Sequence, residues 1–140
     1  MLLSRKGILA IVAVIDVALH SESRPVSAKA LAIRHGLPPR HLEPVLQALV
    51  HEGILRGVRG PRGGYELGRE QHRITADDIL RAAGTADDDS EYELPGSALV
   101  GDVVIPAIAQ AEKVFSGALA EINVDALVRR AERTRGLAGR

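Results

Sequence analysis

The chain has 140 residues, 18 Lys and Arg against 18 Asp and Glu, no cysteine, and 46% hydrophobic but only 2% aromatic residues. That length fits one compact unit with at most one protruding element. Without cysteine, disulfides and thiolate metal sites are excluded. Without aromatics the core must be aliphatic, which suits packed helices better than a sheet sandwich.

Residues 7–19 are almost wholly apolar and follow Arg5 and Lys6. Asp16 interrupts this run, no small-residue cleavage site follows it, and it is too short to cross a bilayer. Ile8, Ile11, Val12, Ile15, Ala18 and Leu19 keep helical spacing, so a buried helix over 5–20 is expected. A second helix over 28–35 stops at Gly36, and a third over 39–52 stops at Gly53. Two short strands over 54–59 and 65–67 flank the turn Gly60, Pro61, Arg62, Gly63, Gly64. A fourth helix over 76–83 ends before Gly84. Residues 85–97, rich in Asp and Glu, read as a flexible acidic loop. A long helix over 98–121 and a short one over 124–133 complete the chain.

Three of these starts share a local design. Ser27, Thr75 and Asn123 are good N-caps, whose side-chain oxygens accept from otherwise free amides. The pairs Val26 with Leu31, Ile74 with Ile79, and Ile122 with Leu127 have the spacing of hydrophobic staples, and Asp78 stands where a capping-box acid belongs.

Charge is unevenly spread. Residues 1–73 carry 11 Lys and Arg against 6 Asp and Glu, and residues 74–140 carry 7 against 12. A basic half followed by an acidic half points to a polyanion-binding part and a part with other work. Within the basic half, only Gly36, Leu37 and Pro38 separate helices two and three, the spacing of a helix-turn-helix. In helix three, Leu42, Val45, Leu46 and Leu49 fall on one face, and Arg40, Glu43, Pro44, Gln47 and His51 on the other. Long polar side chains near the start of such a helix suit base edges in a major groove. The hairpin that follows carries Arg56, Arg59, Arg62 and Arg69, suited to a minor groove or to phosphates. A helix-turn-helix followed at once by a basic hairpin reads as a winged helix. The expected fold is therefore mainly α with a small β-hairpin: a winged helix-turn-helix over 1–84, the acidic loop over 85–97, and a dimerisation helix with a short last helix over 98–140.

Several segments together resemble one family. They are Ser4, Arg5, Lys6 and Gly7 at the start, Pro25, Val26 and Ser27 before helix two, the run LPPRHLE from Leu37 to Glu43, and VRGPRGGYEL from Val58 to Leu67. They resemble the Rrf-type bacterial winged-helix regulators, closely over about 1–84 and more loosely beyond. The resemblance implies a homodimer on a roughly palindromic duplex DNA operator, in which Glu43 discriminates bases and Arg59 reaches the minor groove; the absence of cysteine agrees with a cytoplasmic location. Arg40 and Arg62 join them by charge and position, and Ser27, Lys29, His41, Gln47 and Gly60 complete the expected DNA-binding set.

Two departures from the family pattern stand out. Pro44 lacks the amide that would bond back to the Arg40 carbonyl, at a mid-helix cost of roughly 3 kcal/mol. This argues for a regular helix that begins later than residue 39. Sensing members of the family hold iron–sulfur clusters through cysteines after helix four, and here that region has none. Nor do the five histidines, at 20, 35, 41, 51 and 72, form a close ligand pair in sequence. No metal and no cofactor are expected. A small-molecule or protein effector acting on the acidic loop is the remaining partner class.

In the long helix Val100, Val104, Ile108, Ala111, Phe115, Ala118 and Ile122 recur at steps of three and four. Val103, Ala107, Val114 and Leu119 widen the seam. A stripe this long is expected to meet the same helix of a second subunit, chiefly through Val104, Ile108, Ala111, Phe115 and Leu119. Packing against helix one within the chain is the competing assignment, and the two are compatible. Pro106 is expected to kink or break the helix. The function read from these features is a sequence-specific DNA-binding regulator, a repressor without a cluster. The alternative is an interaction module whose wing arginines meet an acidic protein. No nucleophile–base pair, phosphate-loop context or paired carboxylates argue for an enzyme, and no segment argues for a membrane.

Overall fold

A computed structural model describes residues 4–84 and 96–138, with side chains through residue 134. In chain order it contains α1 (Arg5–His20), α2 (Ala28–His35), α3 (Pro39–His51), β1 (Leu55–Val58), β2 (Gly64–Leu67), a 3-10 turn (Gln71–Arg73), α4 (Ala76–Gly84), a π-helical segment (Leu99–Val104), α5 (Ile105–Ala120) and α6 (Val124–Ala138). The fold is mainly α with one antiparallel hairpin, as the sequence implies. The acidic loop falls on residues 85–95, outside the described residues, and on residues 96–97, which precede the π-helical segment.

Local chemistry sets the helix starts. The Ser27 hydroxyl accepts from the Ala30 amide at 3.0 Å, and the Asn123 side chain accepts from Ala126 at 2.8 Å. Thr75 and Asp78 form the reciprocal capping box, both bonds at 3.1 Å. Ser4 supplies a further cap, accepting from Gly7 at 3.0 Å. Two of the three staples are buried, Val26 with Leu31 and Ile74 with Ile79, whereas Ile122 remains exposed. The starts of α4 and α6 are joined: the Ala76 amide bonds to the Ile122 carbonyl and the Val124 amide to the Ile74 carbonyl, each at 2.8 Å.

The core is aliphatic. Leu31, Leu42, Val45, Leu46, Leu49, Ile54, Leu55, Ile74 and Ile79 are fully buried. Each such side chain contributes roughly 1.5–3 kcal/mol relative to exposure. On α1 the buried stripe is Ala10, Ala13, Val14, Val17 and Ala18. The expected stripe differs: Ile11, Val12, Ile15 and Leu19 are only half-buried and Ile8 is exposed. Small residues win the inner face because α1 and α4 approach closely, with Gly7 lying against Leu80.

α3 begins at Pro39 despite Pro44, so the later start argued from sequence is not what forms. Proline at the first helical position suits its missing amide. The buried Leu42, Val45, Leu46 and Leu49 hold both sides of Pro44 to the core, offsetting one lost backbone bond. Pro106 acts differently. It has no amide for the Asp102 carbonyl, and the ladder shifts just before it: the Ile105 amide bonds to the Val100 carbonyl five residues back. The expected break is thus a π-helical turn that leads into α5. The main neighbour of α5 within the chain is α4, and not α1 as the competing assignment had it. α6 also runs past residue 133, to Ala138.

Candidate DNA-binding surface

The turn between α2 and α3 depends on Gly36, whose φ of 62° is left-handed and closes α2, with the Leu37 amide bonded to the Ala32 carbonyl at 2.9 Å. α3 then presents Arg40, His41, Glu43 and Gln47 to solvent over its buried leucine face. Lys29 is exposed on α2, and Ser27 is half-buried at its cap.

The wing is a four-residue pairing, Leu55 with Leu67 through Val58 with Gly64. A third piece of extended chain joins it. Val26 and Tyr65 exchange both backbone bonds, at 2.9 and 2.7 Å, which ties the approach to α2 to the wing. Gly64 makes this approach possible, since a Cβ there would collide with the Val26 carbonyl. The Tyr65 ring reaches across to α3. Burial pushes its hydroxyl pKa up, the nearby Glu43 carboxylate adds to this, and a hydrogen bond with the Gln47 side chain opposes it. The Tyr65 contact links the wing to two predicted base-reading residues. In the sequence Tyr65 stands out only as part of the VRGPRGGYEL run.

The four wing arginines separate into two pairs. Arg56 is ion-paired across the hairpin with Glu66, its register partner. Arg69 donates to the Glu52 carbonyl at 2.9 Å and lies 3.7 Å from Asp78. Arg59 and Arg62, beside Gly60 at the tip, are exposed and make no ion pair among the described residues.

Behind this surface lies a cluster that was not read from sequence. Asp16 of α1 is 3% exposed. It accepts two bonds from the Arg34 guanidinium, both 2.8 Å, and one from His35 Nε2 at 2.7 Å. His20 Nδ1 donates to the Asp16 carbonyl at 2.9 Å and lies 3.3 Å from its carboxylate. Burial alone would raise the Asp16 pKa. The hydrogen bonds from Arg34 and His35 and the charges of Arg34 and His20 outweigh it and hold the pKa below the usual value. This cluster fastens the end of α2 to α1 and so positions the helix-turn-helix.

A helix-turn-helix followed by a hairpin tied back to α3, with two tip arginines that have no ion-pair partner among the described residues, defines a winged helix. The family described as "Rrf2: Iron-dependent Transcriptional regulator" matches residues 3–130, and the chain belongs to it. Similar proteins include the HTH-type transcriptional regulator IscR of Cronobacter sakazakii, 35% identical over 73% of this chain and 63% of its own length. The IscR of Xenorhabdus nematophila is 40% identical over 59% of this chain and 50% of its own length. The chain therefore spans less than two thirds of these relatives. Among solved structures, T. potens IscR has a TM-score of 0.73 at 30% identity, covering 95% of this chain and 90% of its own. CymR (YrzC), the global cysteine regulator of B. subtilis, has a TM-score of 0.69 at 25% identity, covering 91% and 96%. These relatives are named as regulators and not as enzymes.

The family description implies iron. This chain's donors do not fit a cluster: such clusters are held mainly by cysteine thiolates, and the chain has none. Among the described residues no group of three or more His, Asp or Glu side chains has the arrangement of a metal site.

Proposed function

We propose that the chain is a sequence-specific DNA-binding regulator that works as a cytoplasmic homodimer over domains 1–84 and 98–140, and represses by occupying its operator. The observation that carries this is the division among the wing arginines. Two are spent within the fold, while Arg59 and Arg62 at the tip have no ion-pair partner among the described residues, on the hairpin that Tyr65 ties to α3. An unpaired arginine of this kind suits a narrow minor groove, where negative potential is enhanced. Exposed Arg40, His41, Glu43 and Gln47 suit base edges and nearby phosphates, and Ser27 and Lys29 suit the backbone.

Selection of operators from random duplexes, followed by binding at several salt concentrations, tests the reading. Arg59→Ala is expected to weaken binding to all selected sites, most where the minor groove is narrow, and to lower the salt slope by about one contact. Glu43→Ala is expected to relax preference at one base pair by about 1–3 kcal/mol while total affinity changes less, since a carboxylate accepts from a cytosine amino group yet repels phosphates. An unchanged set of selected sequences for Glu43→Ala would remove its reading role. Binding to acidic protein with no duplex preference would replace the regulator by the interaction module.

The regulator is proposed to work without an iron–sulfur cluster. Protein purified without oxygen is expected to be colourless and to contain no stoichiometric iron. Visible absorption with bound iron would overturn this.

A further inference from the structure

The first turn of α1 and the first turn of α3 leave between them an open cleft of about 870 Å³, inside the range of roughly 300–1,000 Å³ typical of small-molecule sites. Its floor is apolar: Ile8, Leu9, Val12, Leu37 and Pro44. Ile8 is 46% exposed there, because the core-facing stripe of α1 is built from smaller residues. Its rim is cationic, with Arg5 and Lys6 on α1, Arg40 on α3 and His35 and His41 nearby, and among the described residues no Asp or Glu lines it. Neither Arg5 nor Arg40 has an ion-pair partner among the described residues. His35 spends Nε2 on Asp16, and its Nδ1 makes no hydrogen bond to the described residues.

We propose that this cleft binds a small amphipathic anion, an aliphatic body bearing one carboxylate, and that its occupancy lowers operator affinity. Charge complementarity selects the ligand. A neutral apolar molecule would cover the floor but leave two arginine side chains without a counter-charge. A compact polyanion would satisfy the arginines but leave the floor in water. A carboxylate matches the fork of a guanidinium, and its chain covers Ile8, Leu9 and Val12. Coupling to DNA arises because Arg40 serves both the cleft and the start of α3. This second half of the proposal rests on the DNA-binding reading, and the binding half does not.

The test uses the full chain, methyl-labelled for NMR, titrated with octanoate and, in parallel, with octan-1-ol as the uncharged match. Saturable shifts are expected at Ile8, Leu9, Val12 and Leu37, with octanol at least about tenfold weaker, the scale of one lost charge-assisted bond. Arg5→Gln should weaken octanoate by a similar factor, and Ile8→Glu, at an exposed position, should abolish it while the remaining spectrum stays native. No saturable shift, equal binding of octanol, or shifts that follow protein concentration alone would overturn the site; the last would make the cleft a subunit contact. Octanoate is then added to the selected duplex complex and is expected to dissociate the wild type but not Ile8→Glu. Octanoate binding with unaltered duplex affinity would overturn the coupling. Octanoate binding by a protein that holds no duplex at all would support the site and remove only the DNA reading.

Discussion

Ile108→Asp is expected to turn the proposed homodimer into folded monomers, read as a halved mass in sedimentation equilibrium. The motive is the surface of α5 and its π-helical lead. Leu99, Val103, Val104, Ile105, Ile108 and Val114 are all exposed in the single chain, Ile108 by 54% and Val114 by 68%. Monomers rarely expose a continuous apolar patch of more than a few hundred Å². A second copy of the same helix covers it most simply, since a two-fold axis sets each residue of the seam against its equivalent or a near neighbour. An aspartate at Ile108 would place a charge without a partner inside that contact, and desolvating it costs several kcal/mol.

The predicted seam divides in the structure. Val104, Ile108 and Ala111 are exposed, while Phe115 and Leu119 are half-buried and line the cleft between α4 and α5. There Ser116 donates to Asp77 at 2.6 Å and Arg81 donates to Ser116 at 3.1 Å. Phe115→Asp would damage this internal contact, so Ile108 gives the cleaner experiment. Leu99–Ala120 is also long and apolar enough to cross a membrane by length and composition, with a mean hydropathy of 1.3 over 22 residues. Sedimentation with and without lipid vesicles separates the two: a detergent-free dimer that stays off vesicles is expected. A native dimer that survives Ile108→Asp would refute the interface.

What the sequence disclosed follows the range of the forces involved. The caps at Ser27, Thr75 and Asn123 act over three residues, and each is visible in its own tetrapeptide. The inward face of α3 follows from helical period alone, and Leu42, Val45, Leu46 and Leu49 are all buried. Which wing arginines are free was not visible, because it depends on register: Arg56 stands opposite Glu66 only once the strands pair. The extra pairing of Val26 with Tyr65 is a single bridge and leaves no alternation to read. On α1, periodicity marked the helix but favoured the bulky residues, whereas close packing on α4 put alanines inside. Asp16 was visible only as one acid in an apolar run. Only His20 lies within a helical turn of it, and its two carboxylate hydrogen-bond donors, Arg34 and His35, stand 18 and 19 residues away, too far for any local pattern.

Asp16 therefore carries the largest expected effect on stability. Asp16→Asn keeps the shape and one acceptor but turns an amide towards the N–H groups of Arg34 and His35. Removing one partner of a buried ion pair costs about 3–5 kcal/mol. Arg34 and His35 are each about one third exposed and regain water, so the expected loss lies at the lower end, near 3 kcal/mol, or about 10 °C in Tm. The loss must also depend on pH. The folded carboxyl titrates below its unfolded value of about 3.9, so its contribution is full above roughly pH 5 and disappears as pH falls through the folded pKa. Urea unfolding of wild type and Asp16→Asn is expected to show a wide gap at neutral pH that narrows as pH falls through the lowered pKa of the folded wild-type carboxyl. A gap that is independent of pH would mean that the charge of Asp16 is not what holds α2 to α1. Because the same contact sets where α2 and its turn into α3 lie, Asp16→Asn should also weaken duplex binding at temperatures where the variant is still folded. Loss of stability with unchanged operator affinity would confine Asp16 to a fold role and leave the helix-turn-helix positioned by its leucine core alone.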